Sequence, residues 1–127
     1  MAPEPIERWQ ETARARDPAR LAGLLAEDVV FFSPVVHTPQ RGKAITTKYL
    51  AAALAVLGGA DFRYVGQWIG EKSAVLEFMT AIDGVEVDGV DIIGWNAEGL
   101  IDSFKVMVRP LKAIEAVRLK MAAALAG

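Results

Sequence analysis

The chain is 127 residues long, 53% apolar and 24% charged, with a net charge of −2 and no cysteine. That length supports one domain with a real core, and the lack of cysteine excludes disulfides and thiolate metal sites. Scattered Lys and Arg on an acidic balance argue against nucleic acid as a partner, and a single histidine, His37, argues against a zinc or iron site.

The opening stretch MAPEPIERWQ lacks the basic-then-apolar pattern of a signal peptide, and no apolar run approaches the ~18 residues of a membrane span. The expectation is one soluble, cytoplasmic domain over residues 1–127, with no membrane partner. Pro3 and Pro5 suit a first helical turn, and Ile6, Trp9 and Ala13 follow at helical spacing. Asp17-Pro18 predicts an N-cap and a second helix with Leu21, Leu24 and Leu25 as its apolar stripe. Val29 to Phe32 predicts a short strand halted by Pro34, and His37 to Gly42 a loop. A third helix starts at Lys43, carries Ile45, Tyr49, Leu50, Ala53, Leu54 and Leu57, and ends at Gly58-Gly59.

Beyond this point the apolar period changes from 3.6 to 2. Phe62, Tyr64 and Trp68 alternate along one predicted strand, and Leu76, Phe78, Thr80 and Ile82 along another. Asp83-Gly84 signals a hairpin into Val85 to Trp95, and Asn96 to Gly99 turns the chain into Leu100 to Arg109. Pro110 opens a last helix with Leu111, Ile114, Val117, Met121 and Leu125 on one side. Helices followed by a meander of long strands define an α+β pattern: a curved antiparallel sheet around N-terminal helices, with an extra C-terminal helix.

Asp91 stands out within GVDIIGW, a stretch otherwise built like a buried strand. Period-2 spacing places it with Val87, Ile93 and Trp95, opposite Asp88, Val90, Ile92 and Gly94. Burial raises a carboxyl pKa by disfavouring the anion. Asp91 is therefore either a structural carboxylate in a hydrogen-bonded network or an acid held in a pocket. Histidine is the side chain that titrates near neutrality, which makes His37 the candidate general acid or base, against a solvated loop role. Tyr49 and Tyr64 could each donate to a ligand oxygen, although aromatic residues at these spacings commonly belong to the core. On the last strand Phe104, Val106 and Val108 share one face. Ser103, Lys105, Met107 and Arg109 share the other. Glu77 and Lys105 suggest a cross-strand or intersubunit ion pair on the outer face. No phosphate-binding glycine loop, nucleophile elbow or metal-ligand spacing occurs.

The run Trp9 to Gly42, with LLAEDVVFFSPV and then PQRG before a helix, resembles the nuclear-transport-factor-2-like superfamily, as does GVDIIGWNAEGLIDSFKVMVRP. The motifs are most similar to those of SnoaL-like polyketide cyclases and ketosteroid isomerases, and the likeness spans about Ile6 to Arg109. It implies a cone-shaped, cystatin-like α+β barrel, dimeric through the sheet, and the outer-face pattern of Met79, Lys105 and Met107 leads to the same expectation of a dimer. It further implies that Asp91 holds the position of a protonated oxyanion donor, Trp9 that of a tyrosine donor, and Ser33 that of the catalytic aspartate base. Trp9 and Ser33 depart from that pattern. An indole N–H still donates one hydrogen bond, whereas serine is no base near pH 7 without activation. The resulting expectation is an apolar cavity with Asp91 and Trp9 at its floor and His37 or Ser33 at its rim. Tyr49, Phe78, Thr80, Phe104, Val106 and Val108 are expected along its lining. Such a cavity suits a small apolar ligand bearing a carbonyl or hydroxyl. The activity expected is either cofactor-independent isomerisation, cyclisation or dehydration, or ligand carriage or an accessory role without chemistry.

Overall fold

The structure, a computed structural model, describes residues 2–126. Helix α1 (Glu4–Ala15) buries Ile6, Trp9 and Ala13, and closes at Arg16, whose left-handed backbone (φ 51°) turns the chain. Asp17 accepts a hydrogen bond from the Ala19 N–H (3.0 Å), as an N-cap should, but the helix it opens is only a 3-10 segment, Pro18–Gly23. The predicted apolar stripe divides, because Leu25 is already the first residue of strand β1 (Leu25–Phe32) and pairs with Ile101. The Ile101 N–H donates to the Leu24 carbonyl (2.8 Å), so sheet pairing overrides local helix propensity here. Within the expected loop, Gln40–Arg41 forms a two-residue strand, β2, against Phe31 and Val30. Helix α2 (Lys43–Leu57) follows as expected.

The second half supplies β3 (Arg63–Ile69), β4 (Ser73–Ile82), β5 (Val85–Trp95), β6 (Ile101–Arg109) and helix α3 (Leu111–Ala126). The six strands form one curved, open sheet in the order β2-β1-β6-β5-β4-β3, antiparallel throughout except where β1 runs parallel to β6. Leu76, Phe78, Thr80 and Ile82 on β4 meet Val87, Asp91 and Ile93 on β5, and Phe104 and Val106 on β6, on one buried face. Gly89 interrupts that row for a steric reason. The Phe78 ring lies across it, and a Cβ there would come within 2.3 Å of the ring.

Two sequence expectations need correction. Trp68 does not share a face with Phe62 and Tyr64. A bulge between Tyr64 and Gly66 inserts Val65, so Tyr64 pairs with Phe78 on the inside while Trp68 pairs with Val75 and is 60% exposed. On α3 the buried stripe is Ala113, Val117 and Met121, and Leu111 faces solvent.

The outer face carries Met79, Lys105 and Met107, the last 51% exposed. Among the described residues Glu77 and Lys105 form no ion pair. Lys105 lies over the Phe32 ring, while Glu77 neighbours Asp88, which is held by Arg109 at 3.2 Å. The hydrogen bond and negative charge of Asp88 push the Glu77 carboxyl pKa upward. No helix among the described residues is long and apolar enough to cross a membrane.

Candidate functional site

Three distant parts of the chain converge inside the cone. The first helix places Trp9 edge-on against Phe104 (ring centroids 4.8 Å apart), which aims its indole N–H across the interior. The bulge in β3 turns Tyr64 inward, and the β5 alternation turns Asp91 to meet it. The Trp9 Nε1–H donates to Tyr64 Oη (2.9 Å), and the Tyr64 O–H donates to Asp91 Oδ2 (2.7 Å). The result is a directed chain of two hydrogen bonds ending on a carboxylate that is only 5% exposed.

Burial dominates the electrostatics. It raises the Asp91 pKa from an ordinary 3.8 to about 7, against the opposing effects of the Tyr64 hydrogen bond and of the nearby Trp9 indole N–H dipole. The Tyr64 phenol is pushed well above its ordinary 10.0, first by burial and then by the Asp91 charge and hydrogen bond. Tyr64 thus remains a proton donor at any physiological pH.

Two proton arrangements follow from the donor and acceptor inventory. With Asp91 ionised, the single Tyr64 proton is committed to the carboxylate. With Asp91 protonated, its own O–H can donate to Tyr64 Oη, and the phenolic proton is then released toward another acceptor. In that second state the phenol oxygen accepts from both Trp9 and Asp91. Both donors strengthen the bond the phenol gives to a third oxygen.

The space around this chain has two parts. An inner, mostly apolar cavity of about 30 Å³ is lined by Trp9, Leu50, Leu54, Leu57, Phe78, Asp91, Phe104 and Val106, among others. That is room for about one water molecule. An outer pocket of about 380 Å³ lies between the ends of α1 and α2 and the start of β3. Ala13, Gly58, Phe62 and Tyr64 line both, so Tyr64 borders the two spaces.

Several expected site residues lie elsewhere. Ser33 and His37 line a separate open groove beside Lys105, Met107 and Val108, and Val106 is the one residue that the groove shares with the inner cavity. The Ser33 hydroxyl accepts from the Val35 and Val36 N–H groups and so closes a local turn. His37 is exposed, because Pro34 ends β1 and carries the loop away from the sheet interior. Tyr49 packs against Phe31 in the core (5.5 Å), Thr80 donates to the Leu57 carbonyl (3.2 Å), and Val108 belongs to the His37 groove. Of the expected walls, Phe78, Phe104 and Val106 line the inner cavity. Tyr64 is the residue the sequence underweighted. Its signal was a phenol on the inward side of a strand facing a buried carboxylate, which needs the strand register to be seen. No group of three or more His, Cys, Asp or Glu side chains that could hold a metal ion exists among the described residues.

Comparison with known proteins places the chain in a family. The SnoaL-like domain family matches residues 6–104. A solved steroid delta-isomerase from Pseudomonas aeruginosa is 34% identical over 96% of this chain and 89% of its own, with a TM-score of 0.91. An uncharacterized protein conserved in bacteria, of cystatin-like fold and from Silicibacter pomeroyi DSS-3, is 33% identical over 94% of this chain and 84% of its own, with a TM-score of 0.88. An NTF2-like protein of unknown function from Mesorhizobium loti, 22% identical over 84% and 89% of the two chains, shares the fold at a TM-score of 0.74. No curated protein gives a significant match. The chain belongs to the SnoaL-like family and has the NTF2-like cone fold.

The raised Asp91 pKa links the site to stability. Between 3.8 and about 7 the folded protein holds a proton that the unfolded chain has lost, so stability falls as pH rises through that window. The difference corresponds to ~4 kcal/mol at most. Urea denaturation of Asp91→Asn is expected to show a clearly flatter pH dependence between pH 4 and 7, and a protein at least as stable as wild type at pH 8. An unchanged slope would contradict the assigned burial.

Proposed function

We propose that the protein binds a small, largely apolar molecule whose carbonyl or hydroxyl oxygen hydrogen-bonds to Tyr64, and that Asp91 exchanges a proton with it through that phenol. The observation that carries this reading is the position of Tyr64, bonded to a carboxyl that titrates near neutrality and lining the outer pocket as well. A phenol supported by two donors is suited to stabilising negative charge on a ligand oxygen. An acid with a pKa near 7 is suited to giving and taking a proton at neutral pH. The chemistry this supports is a cofactor-independent acid–base step on a carbonyl compound: isomerisation, cyclisation or dehydration. The steroid delta-isomerase similarity points to the same class.

A non-catalytic carrier is the second reading, favoured by one observation. Asp91 is the sole carboxyl among the residues lining the inner cavity, and His37 and Ser33 lie in another groove. A reaction that needs a separate base while Asp91 is protonated has no such group there.

Binding of 2-naphthol, followed by its fluorescence, tests the shared core of both readings. Affinity is expected to be at least about tenfold higher at pH 5.5 than at pH 8.5, because only protonated Asp91 releases the Tyr64 proton to the ligand. Asp91→Asn is expected to lose that pH dependence. A pH-independent wild type would overturn the proposal.

The outer face of the sheet supports a homodimer. Trp68 and Met107 are more than half exposed on it, and Val65 is 50% exposed on the bulge, which is costly apolar area for a free monomer. Sedimentation at micromolar concentration is expected to give a dimer, and Met107→Glu a shift toward monomer. A monomeric wild type would contradict this assembly.

A further inference from the structure

The outer pocket has a charge character opposite to that of the chain. The protein carries a net charge of −2, yet this pocket is lined by Arg14, Arg16 and Arg63 and by no carboxylate. Among the described residues none of the three guanidinium groups forms an ion pair. Helix ends account for part of the cluster. Arg14 lies in the last turn of α1, and Arg16 donates from Nη2 to the Ala55 carbonyl (3.4 Å) near the end of α2. Arg63 is at the start of a strand, and its one bond goes to the Asp61 carbonyl (3.2 Å). Each guanidinium has five donors, so most of this donor capacity faces the pocket or solvent unused. Of the five arginines outside the pocket, four are paired among the described residues, Arg8 with Glu4, Arg20 with Asp17, Arg109 with Asp88 and Arg118 with Glu115, and Arg41 is not.

We propose that the ligand is amphiphilic, with an anionic group, a carboxylate or a phosphate, held by Arg14, Arg16 and Arg63 at the outer pocket and its carbonyl or hydroxyl end at Tyr64. This rests on the binding role assigned to Tyr64 and extends it to a substrate class, small organic acids or phosphate esters that also carry a carbonyl or hydroxyl. The pocket volume, about 380 Å³, falls in the range of small-molecule sites. Guanidinium groups bind both oxyanions in bidentate fashion. The pocket shares four residues with the inner cavity, Tyr64 among them, so the arginines and Tyr64 border the same outer pocket.

Three naphthalene probes test this on the full chain: 2-naphthol, 6-hydroxy-2-naphthoate and 6-hydroxy-2-naphthyl phosphate. At least one of the two anions is expected to bind about tenfold or more tightly than 2-naphthol at low salt, and the tighter of them identifies the natural anion class. That advantage is expected to shrink in 0.5 M NaCl and to disappear in the Arg14→Gln/Arg63→Gln protein. Equal affinities for all three, or an advantage that survives in the double variant, would overturn the anionic anchor while leaving the Tyr64 site standing. Failure of all three to bind would overturn the Tyr64 site and this inference together.

Discussion

The interior of this protein is organised around the cost of burying the Asp91 carboxyl. An isolated charge there would be prohibitive, and the fold offsets the cost with one direct donor, Tyr64, itself fixed by Trp9. The two bonds tie α1, β3 and β5 together across the cone, so the same contacts that make Asp91 tolerable also hold the first helix to the far edge of the sheet. The compensation is incomplete, since the acid still titrates near pH 7. Incomplete compensation is what leaves a proton available at a physiological pH.

Local irregularities in the sheet serve this arrangement. Without the Val65 bulge, the alternation of β3 would leave Trp68 on the same face as Tyr64, and a second indole would compete for the interior. With it, the indole moves to the outer face, where it lies over Gly66. Gly89 plays a comparable part opposite β4, because its missing side chain admits the Phe78 ring beside Asp91. Phe78 stacks on Phe62 (5.3 Å), and Phe62 meets Tyr64 edge-on (5.1 Å), so the aromatic wall reaches from the sheet to the pocket mouth. Packing and site geometry are thus one set of contacts.

Much of this was legible in the sequence. The switch from 3.6 to 2 in apolar period located the helices and strands, and alternation along β5 alone was enough to place Asp91 on the inward face. The resemblance carried by the runs Trp9 to Gly42 and Gly89 to Pro110 pointed to the right family. The remainder depended on pairings that no local pattern encodes. Trp9 and Asp91 are joined through Tyr64, which is 55 residues from one and 27 from the other. Leu25 left its helix because Ile101, far along the chain, offered a strand partner. His37 was singled out by its chemistry, but the direction of a proline-bounded loop is set by what the neighbouring strands leave open. A bulge of one residue in β3 likewise has no signature in an alternating run that reads well without it.

The claim that Asp91 is a buried acid restrained by Tyr64 is tested most directly by carbon-13 NMR titration of the Asp91 carboxyl in the wild-type and Tyr64→Phe proteins. The wild-type resonance should titrate near pH 7, and removal of the phenolic donor should move it higher still, because the anion loses its direct hydrogen bond. A wild-type value near 3.8, or one that Tyr64→Phe leaves unmoved or lowers, would contradict the account.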